Sequence, residues 1–238
     1  MLKAVLFDFD GTLLPMQELD FIKKYAELLD IKMAKIGLDG TKLGRLIWES
    51  MHRIEKNDGS KTNNDVFNET FIDFYGEEAS KYKSLLLDYY INEFSGTKMV
   101  CTENPLARTI IDFVNNNNLL CILATSPVYP SVATINRMSF IGLKESDFSL
   151  FTHHENCRYG KTNPNYYLDI LNKFNLKPNE VLLFGNNTFE DGETSLKCGI
   201  KTYLIEGCII YDKRSSNNFE TIKMQDVIPT IKKHLDNE

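Results

Sequence analysis

Four strand-length runs along the chain are dominated by apolar residues, and each stops at a polar or turn-forming one: 3–7 before Asp8, 119–124 before Thr125, 181–184 before Gly185, and 202–205 before Glu206. Continuous runs this short predict strands buried on both faces, as in a parallel sheet lying between two helical layers. Between them, apolar residues recur at helical spacing over 106–114, 130–140, 164–174 and 190–198. Strand and helix alternate, which predicts crossover connections and an α/β fold with a doubly wound, mostly parallel sheet.

Residues 17–94 break that rhythm. They hold no strand-like run, but four apolar sets at helical spacing: Phe21, Tyr25, Leu28 and Leu29; Leu43, Leu46, Ile47, Met51 and Ile54; Val66, Phe67, Phe71 and Phe74; Leu85, Leu86, Tyr89 and Tyr90. The pattern predicts an all-helical insertion over 16–99, with the core built from 1–15 and 100–238. Pro15, Gly96 and Pro105 punctuate the two connections, at 14–16 and 95–104. The asparagines at 115–118 read as a polar helix exit and turn. Val227, Ile228, Ile231 and Leu235 read as an amphipathic closing helix.

Composition narrows the partners. A chain of 238 residues with 42% hydrophobic content can bury a substantial core. With 27 basic against 33 acidic residues, the net charge of -6 offers no general attraction to nucleic acid or anionic membranes, so neither is expected as a partner. The five cysteines are widely spaced and form no CxxC pair, which fits a reducing, cytoplasmic location. No apolar run approaches the roughly 20 residues of a bilayer span, and Asp8 interrupts the N-terminus before a signal-like core develops. The sequence leaves the oligomeric state open.

In an open parallel sheet, ligands bind beyond the carboxyl ends of the strands. The first run ends in FDFDGTL, with Asp8 and Asp10 two apart and Gly11 free to turn sharply. The second delivers Thr125 and Ser126, a later loop supplies Lys161, and the third run leads into GNNTFEDG. In order and spacing, this set resembles the haloacid dehalogenase-like (HAD) superfamily, all four of whose motif regions are matched in sequence; 17–94 is similar to that family's helical cap. The letters Asp39-Gly40-Thr41 repeat DGT without a preceding strand or a second aspartate, and are expected to form a turn or helix start.

The resemblance implies a Rossmann-like core and a magnesium-dependent phosphatase acting on a small phosphorylated metabolite. Asp8 is the implied nucleophile, forming an aspartyl-phosphate, and Asp10 the implied acid and base. An aspartate at both positions favours phosphatase chemistry over carbon–halogen cleavage, whose leaving group needs no acid. Thr125, with Ser126 and the Gly11 turn, is expected to hold phosphoryl oxygens, and Lys161 to offset their charge. Proline, which the family usually places directly after this lysine, is delayed here to Pro164.

The implied magnesium ligands are Asp8, the backbone carbonyl of Asp10, Asp191 and, where the family often carries a further aspartate, Asn186; Asn187 is also within reach of that position. An amide oxygen still ligates a hard cation, but without charge, so a higher magnesium requirement is expected. Glu190 is expected either to swing inward or to stabilise the start of the following helix. A second reading is a phosphometabolite-binding or sensing protein with weak or no turnover. A third, carbon–phosphorus hydrolysis, would need a Schiff-base lysine in the insertion, with Lys23, Lys24, Lys42 and Lys56 available. His153, His154 and Cys157 match no zinc spacing and are expected in a loop or substrate lining. Trp48 is expected in the core of the insertion.

Overall fold

The computed structural model describes residues 1–236. Its strands are β1 Ala4–Phe7, β2 Leu120–Leu123, β3 Leu150–Phe151, β4 Val181–Gly185, β5 Lys201–Ile205 and β6 Glu220–Ile222. They form one sheet in the order β3-β2-β1-β4-β5-β6, parallel at every pairing. The chain steps outward from β1 through β2 to β3, then returns to lay β4 on the opposite side of β1. The crevice between the ends of β1 and β4 is therefore the topological switch point, where such sheets bind ligands.

Side chains of the central strands alternate between two buried clusters. Val5, Phe7, Cys121, Leu123, Leu182 and Phe184 enter one; Ala4, Leu6, Ile122, Ala124, Val181 and Leu183 enter the other. Both faces are dry, which explains the uninterrupted apolar runs. On the first face Phe7 stacks on Phe184 at 5.5 Å, and Phe184 on Tyr203 at 5.8 Å, carrying aromatic contact across three strands.

Between β1 and β2 lie α1 Glu18–Lys35, α2 Gly40–Glu55, α3 Asn63–Tyr75 and α4 Ala79–Asn92. These match the four periodic sets. Asp39 caps α2, its Oδ1 accepting from the Thr41 N–H at 2.8 Å, so the second DGT is a helix start. The chain leaves and re-enters the sheet layer side by side: Met16 bridges Cys101, and the Thr102 N–H donates to the Pro15 carbonyl at 2.8 Å. Lys32 is buried within the insertion and satisfied by Asp88 and Glu93. Tyr25, Tyr89, Tyr90 and Phe94 pack with Tyr129 of the core, joining the insertion to the loop after β2.

Outside the insertion the helices are α5 Ala107–Asn116, α6 Ser131–Phe140, α7 Pro164–Lys173, α8 Thr194–Lys197 and α9 Val227–Asp236. Asn118, at φ +56°, makes the turn after α5. Among the described residues no helix is long and apolar enough to cross a membrane.

Three expectations are corrected. Trp48 is 58% exposed, because the buried face of α2 runs through Leu43, Leu46, Ile47, Ser50 and Ile54, and one further residue turns about 100° away from it. A continuous helix over 190–198 is replaced by a π-helical turn, Thr188–Glu193, followed by the single turn of α8. His153, His154 and Cys157 lie in a loop, as expected, but the substrate-lining alternative does not hold, since none lines the cavity at the switch point: His153 pairs with Glu155 at 2.6 Å, while His154 is buried against Phe67. Burial depresses the His154 imidazole to about 4 and raises the Cys157 thiol to about 12.

Candidate active site

The register Phe7↔Leu123 and Phe7↔Phe184 brings the residues after β1, β2 and β4 to one edge of the sheet. A cavity of about 190 Å³ opens there, lined on its floor by Asp8, Asp10, Thr125, Ser126, Asn186 and Asp191. The inserted helices α1 and α2 roof it. Chain ends of three strands and one loop thus meet in one place.

Asp8 is 5% exposed and held on both oxygens. Lys161 Nζ donates to Oδ1 at 2.5 Å, and Thr12 Oγ1 donates to Oδ2 at 3.0 Å. Burial raises the Asp8 carboxyl to about 7; Lys161 opposes the rise and Asp191 adds to it. Lys161 itself is 2% exposed and also pairs with Asp191 Oδ1 at 2.6 Å. Burial works against its charge, but the two aspartates outweigh that and hold the ammonium above its usual value. The delayed proline has a local role: Asn163 caps α7 and Pro164 occupies its first turn, leaving Lys161 on the short loop before it.

Gly11 is a structural requirement. It lies at φ +84°, and a Cβ there would come within 2.0 Å of Asn186 Nδ2. Gly185 is equally constrained, since a Cβ would fall 2.3 Å from Asp191 Cγ. Thr125 lines the cavity but does not cap a helix, because α6 starts at Ser131. Its carbonyl is pinned by Thr152 Oγ1 at 2.6 Å and by the Tyr166 hydroxyl at 2.9 Å.

The two asparagines separate. Asn187 is a cap, its Oδ1 accepting from the Phe189 and Glu190 N–H groups at 2.9 and 3.1 Å. Asn186 lies against the Gly11 turn, donates from Nδ2 to the Cys208 carbonyl at 2.8 Å, and its Oδ1 takes no hydrogen bond among the described residues. Asp191 Oδ2 accepts the N–H groups of both asparagines, at 3.0 and 2.9 Å, while Oδ1 serves Lys161 and, at 3.4 Å, the Tyr167 hydroxyl. The π turn, closed by the Gly192 N–H on the Asn187 carbonyl, turns Glu190 toward the cavity. Its carboxyl is raised to about 8 by burial, against Lys161 and with Asp191 and Asp8.

These donors bear on magnesium. No three Asp, Glu, His or Cys side chains among the described residues form a ready-made cage. Magnesium needs none, since it commonly takes one or two carboxylates, substrate phosphate and water. Lys161 pairs with Asp8 and Asp191 and acts on the Glu190 carboxyl from further away; Asp8 and Glu190 are pushed up to about 7 and about 8, so the cluster is short of positive charge. The oxygen-rich donor set fits a hard divalent cation.

Arg137 was absent from the sequence-based site. It projects from the buried face of α6, is fully buried, and forms an ion pair through Nη1 with Asp10 Oδ2. Its guanidinium lies over the rings of Tyr129 and Phe9, at 4.6 and 5.6 Å. The other Asp10 oxygen, Oδ1, is buried with no hydrogen-bond partner among the described residues. An arginine one helical turn after buried Ala133 was the signal available in the sequence. Arg137→Met is expected to cost about 3 kcal/mol in urea unfolding, the low end for a broken buried pair because Asp10 is partly exposed. Arg137→Lys, which keeps charge but not the planar fork, should fall between.

The family follows from this frame. A model of haloacid dehalogenase-like hydrolases matches residues 2–194, and the chain belongs to that family. No curated protein matches it by sequence. Its fold is similar to a predicted phosphoglycolate phosphatase from Haemophilus somnus 129PT, at 15% identity and TM-score 0.61 over 97% of this chain and 98% of that one. It is also similar to a HAD phosphatase from Thermococcus onnurineus, at 17% and 0.58 over 100% and 99%. A 2-haloacid dehalogenase from Pseudomonas syringae pv. Tomato DC3000 gives 16% and 0.63 over 99% and 98%. At such identities the likeness establishes the fold, and the reaction must be argued from the site.

Proposed function

We propose that the protein is a magnesium-dependent phosphatase that hydrolyses a small phosphorylated metabolite through an aspartyl-phosphate on Asp8. The observation that carries this reading is the second carboxylate: Asp10 lines the same cavity as Asp8, is fixed by Arg137 through one oxygen, and has the other buried without a hydrogen-bond partner among the described residues. An acid so placed serves an alkoxide leaving group; halide departure has no use for it.

In the first half-reaction an Asp8 oxygen bonds to phosphorus as the phosphorus–alkoxide bond breaks, and Asp10 gives the leaving oxygen its proton. In the second, Asp10 takes a proton from water, the water oxygen bonds to phosphorus, and the Asp8–phosphorus bond breaks to free phosphate. Lys161 offsets the charge gathered between Asp8 and the phosphoryl oxygens, and Thr125 and Ser126 orient those oxygens. Asp8, the Asp10 carbonyl, Asn186 and Asp191 would hold magnesium, with Glu190 as an added carboxylate. Bound there, magnesium would neutralise phosphoryl charge.

Phosphate release from p-nitrophenyl phosphate and small phosphomonoesters, with and without magnesium, tests the reading. Release is expected to require magnesium, and Asn186→Asp to lower the concentration needed by about tenfold. The neutral amide of Asn186 also favours the sensing alternative. Stabilisation by phosphorylated ligands with no release at saturating magnesium would establish that reading in place of the phosphatase.

A further inference from the structure

The cavity is chemically divided. Its floor holds the reacting groups, while the roof and rim, where a leaving group would lie, carry apolar side chains including Phe21, Ile22, Met51 and Ile209, together with the carboxylates of Glu18 and Glu55. Among the described residues no lysine, arginine or histidine lines it. Lys161 lies beneath the floor, committed to Asp8 and Asp191, and Arg137 lies behind Asp10. Arg214, whose charge is felt by Glu55 and Glu190, is outside the lining; it is held by both oxygens of Asp212 and lies over the Phe189 ring at 4.1 Å. The phosphoryl end of a substrate therefore lies over a floor backed by Lys161 and Arg137, whereas the distal end meets apolar surface, Gln17, Tyr129 and two carboxylates, with no cation among the described residues of the lining.

We propose that the substrates are small phosphomonoesters whose leaving alcohol is uncharged or cationic, amino-alcohol phosphates foremost, and that esters bearing a second anion are rejected. The inference rests on the phosphatase reading of the same site. A distal carboxylate would face Glu18 and Glu55, both exposed at the rim, with no lysine or arginine in the lining to pair with, a repulsion felt most at low salt. A distal ammonium reverses the sign of both interactions. The Haemophilus somnus neighbour, named for a carboxylate-bearing ester, shares this fold, so the difference would lie in what lines the cavity and not in the scaffold.

Three esters on a two-carbon frame test it: O-phosphoethanolamine, ethyl phosphate and phosphoglycolate, with p-nitrophenyl phosphate as a general probe. The kcat/KM for O-phosphoethanolamine should exceed that for phosphoglycolate by about tenfold to a hundredfold at low salt, with ethyl phosphate between. Intrinsic leaving-group reactivity is the same for every variant, so the ratio in Glu18→Gln/Glu55→Gln isolates the protein's share, and it should contract toward that of the uncatalysed esters. Phosphoglycolate turned over as well as O-phosphoethanolamine, or a ratio unmoved by the double substitution, would overturn the proposal. Hydrolysis of none of the four would sink the phosphatase reading instead. Binding of the same three esters, read by thermal shift, would then decide the charge preference: stabilisation by phosphoglycolate equal to that by O-phosphoethanolamine refutes it.

Discussion

Asp8→Asn is expected to lower phosphate release on the order of 10⁴-fold while leaving the protein folded and no less stable. The loss follows from removing the nucleophile, whose role an amide of the same shape cannot take. The stability argument comes from the burial of the carboxyl. Its folded value, raised to about 7 from 3.8, means that the native state binds the extra proton between those values, so its contribution to stability is lost as pH rises from about 4 to about 7. An amide of the same shape removes that loss. Urea unfolding at pH 5 and pH 8 should show a smaller decline for the variant than for the wild type, and phosphate release measured in parallel should separate reactivity from folding.

Lys161→Met is expected to damage both. The substitution leaves Asp8 and Asp191 buried without their shared cation, a change of about 3–5 kcal/mol for a broken buried ion pair. It also removes the main influence holding the Asp8 carboxyl down, so Asp8 stays protonated at neutral pH and cannot attack phosphorus. Adding Asp8→Asn to Lys161→Met should restore part of the lost stability, because the uncompensated charge is then reduced, and none of the activity. Additive losses in that double-variant cycle would mean that Lys161 and Asp8 do not act as a pair.

The legible parts of this protein are those where burial writes a continuous signal. Strands β1, β2, β4 and β5 have both faces covered, so almost every position is apolar, and residues that follow β1, β2 and β4 line the cavity. The insertion was equally plain, since each of its helices buries one stripe. Strands β3 and β6 were missed for the opposite reason: β3 is two residues long, and β6 is an edge strand whose Glu220 and Thr221 are exposed. Trp48 misled because a large apolar residue carries no label saying on which side of a stripe it lies.

Within the site, residue types were readable and directions were not. The choice between Asn186 and Asn187 turns on a backbone cap, and the inward turn of Glu190 depends on a π turn that accommodates one extra residue; neither leaves a periodic trace. Arg137 lies 127 residues from Asp10 in sequence and becomes relevant only because α6 is packed behind that carboxylate. None of Lys23, Lys24, Lys42 or Lys56 lines the cavity, and Lys23 and Lys24 are paired with Asp20 and Glu27. The carbon–phosphorus alternative thus has no lysine placed to support it among the described residues.

One measurement addresses the proposed covalent step directly: quenching a magnesium-loaded turnover in acid and locating any added phosphoryl group by peptide mass. The group should appear on the peptide containing Asp8, at Asp8 itself. Steady phosphate release with no phosphoryl group on that residue, or with one on any other, would contradict it.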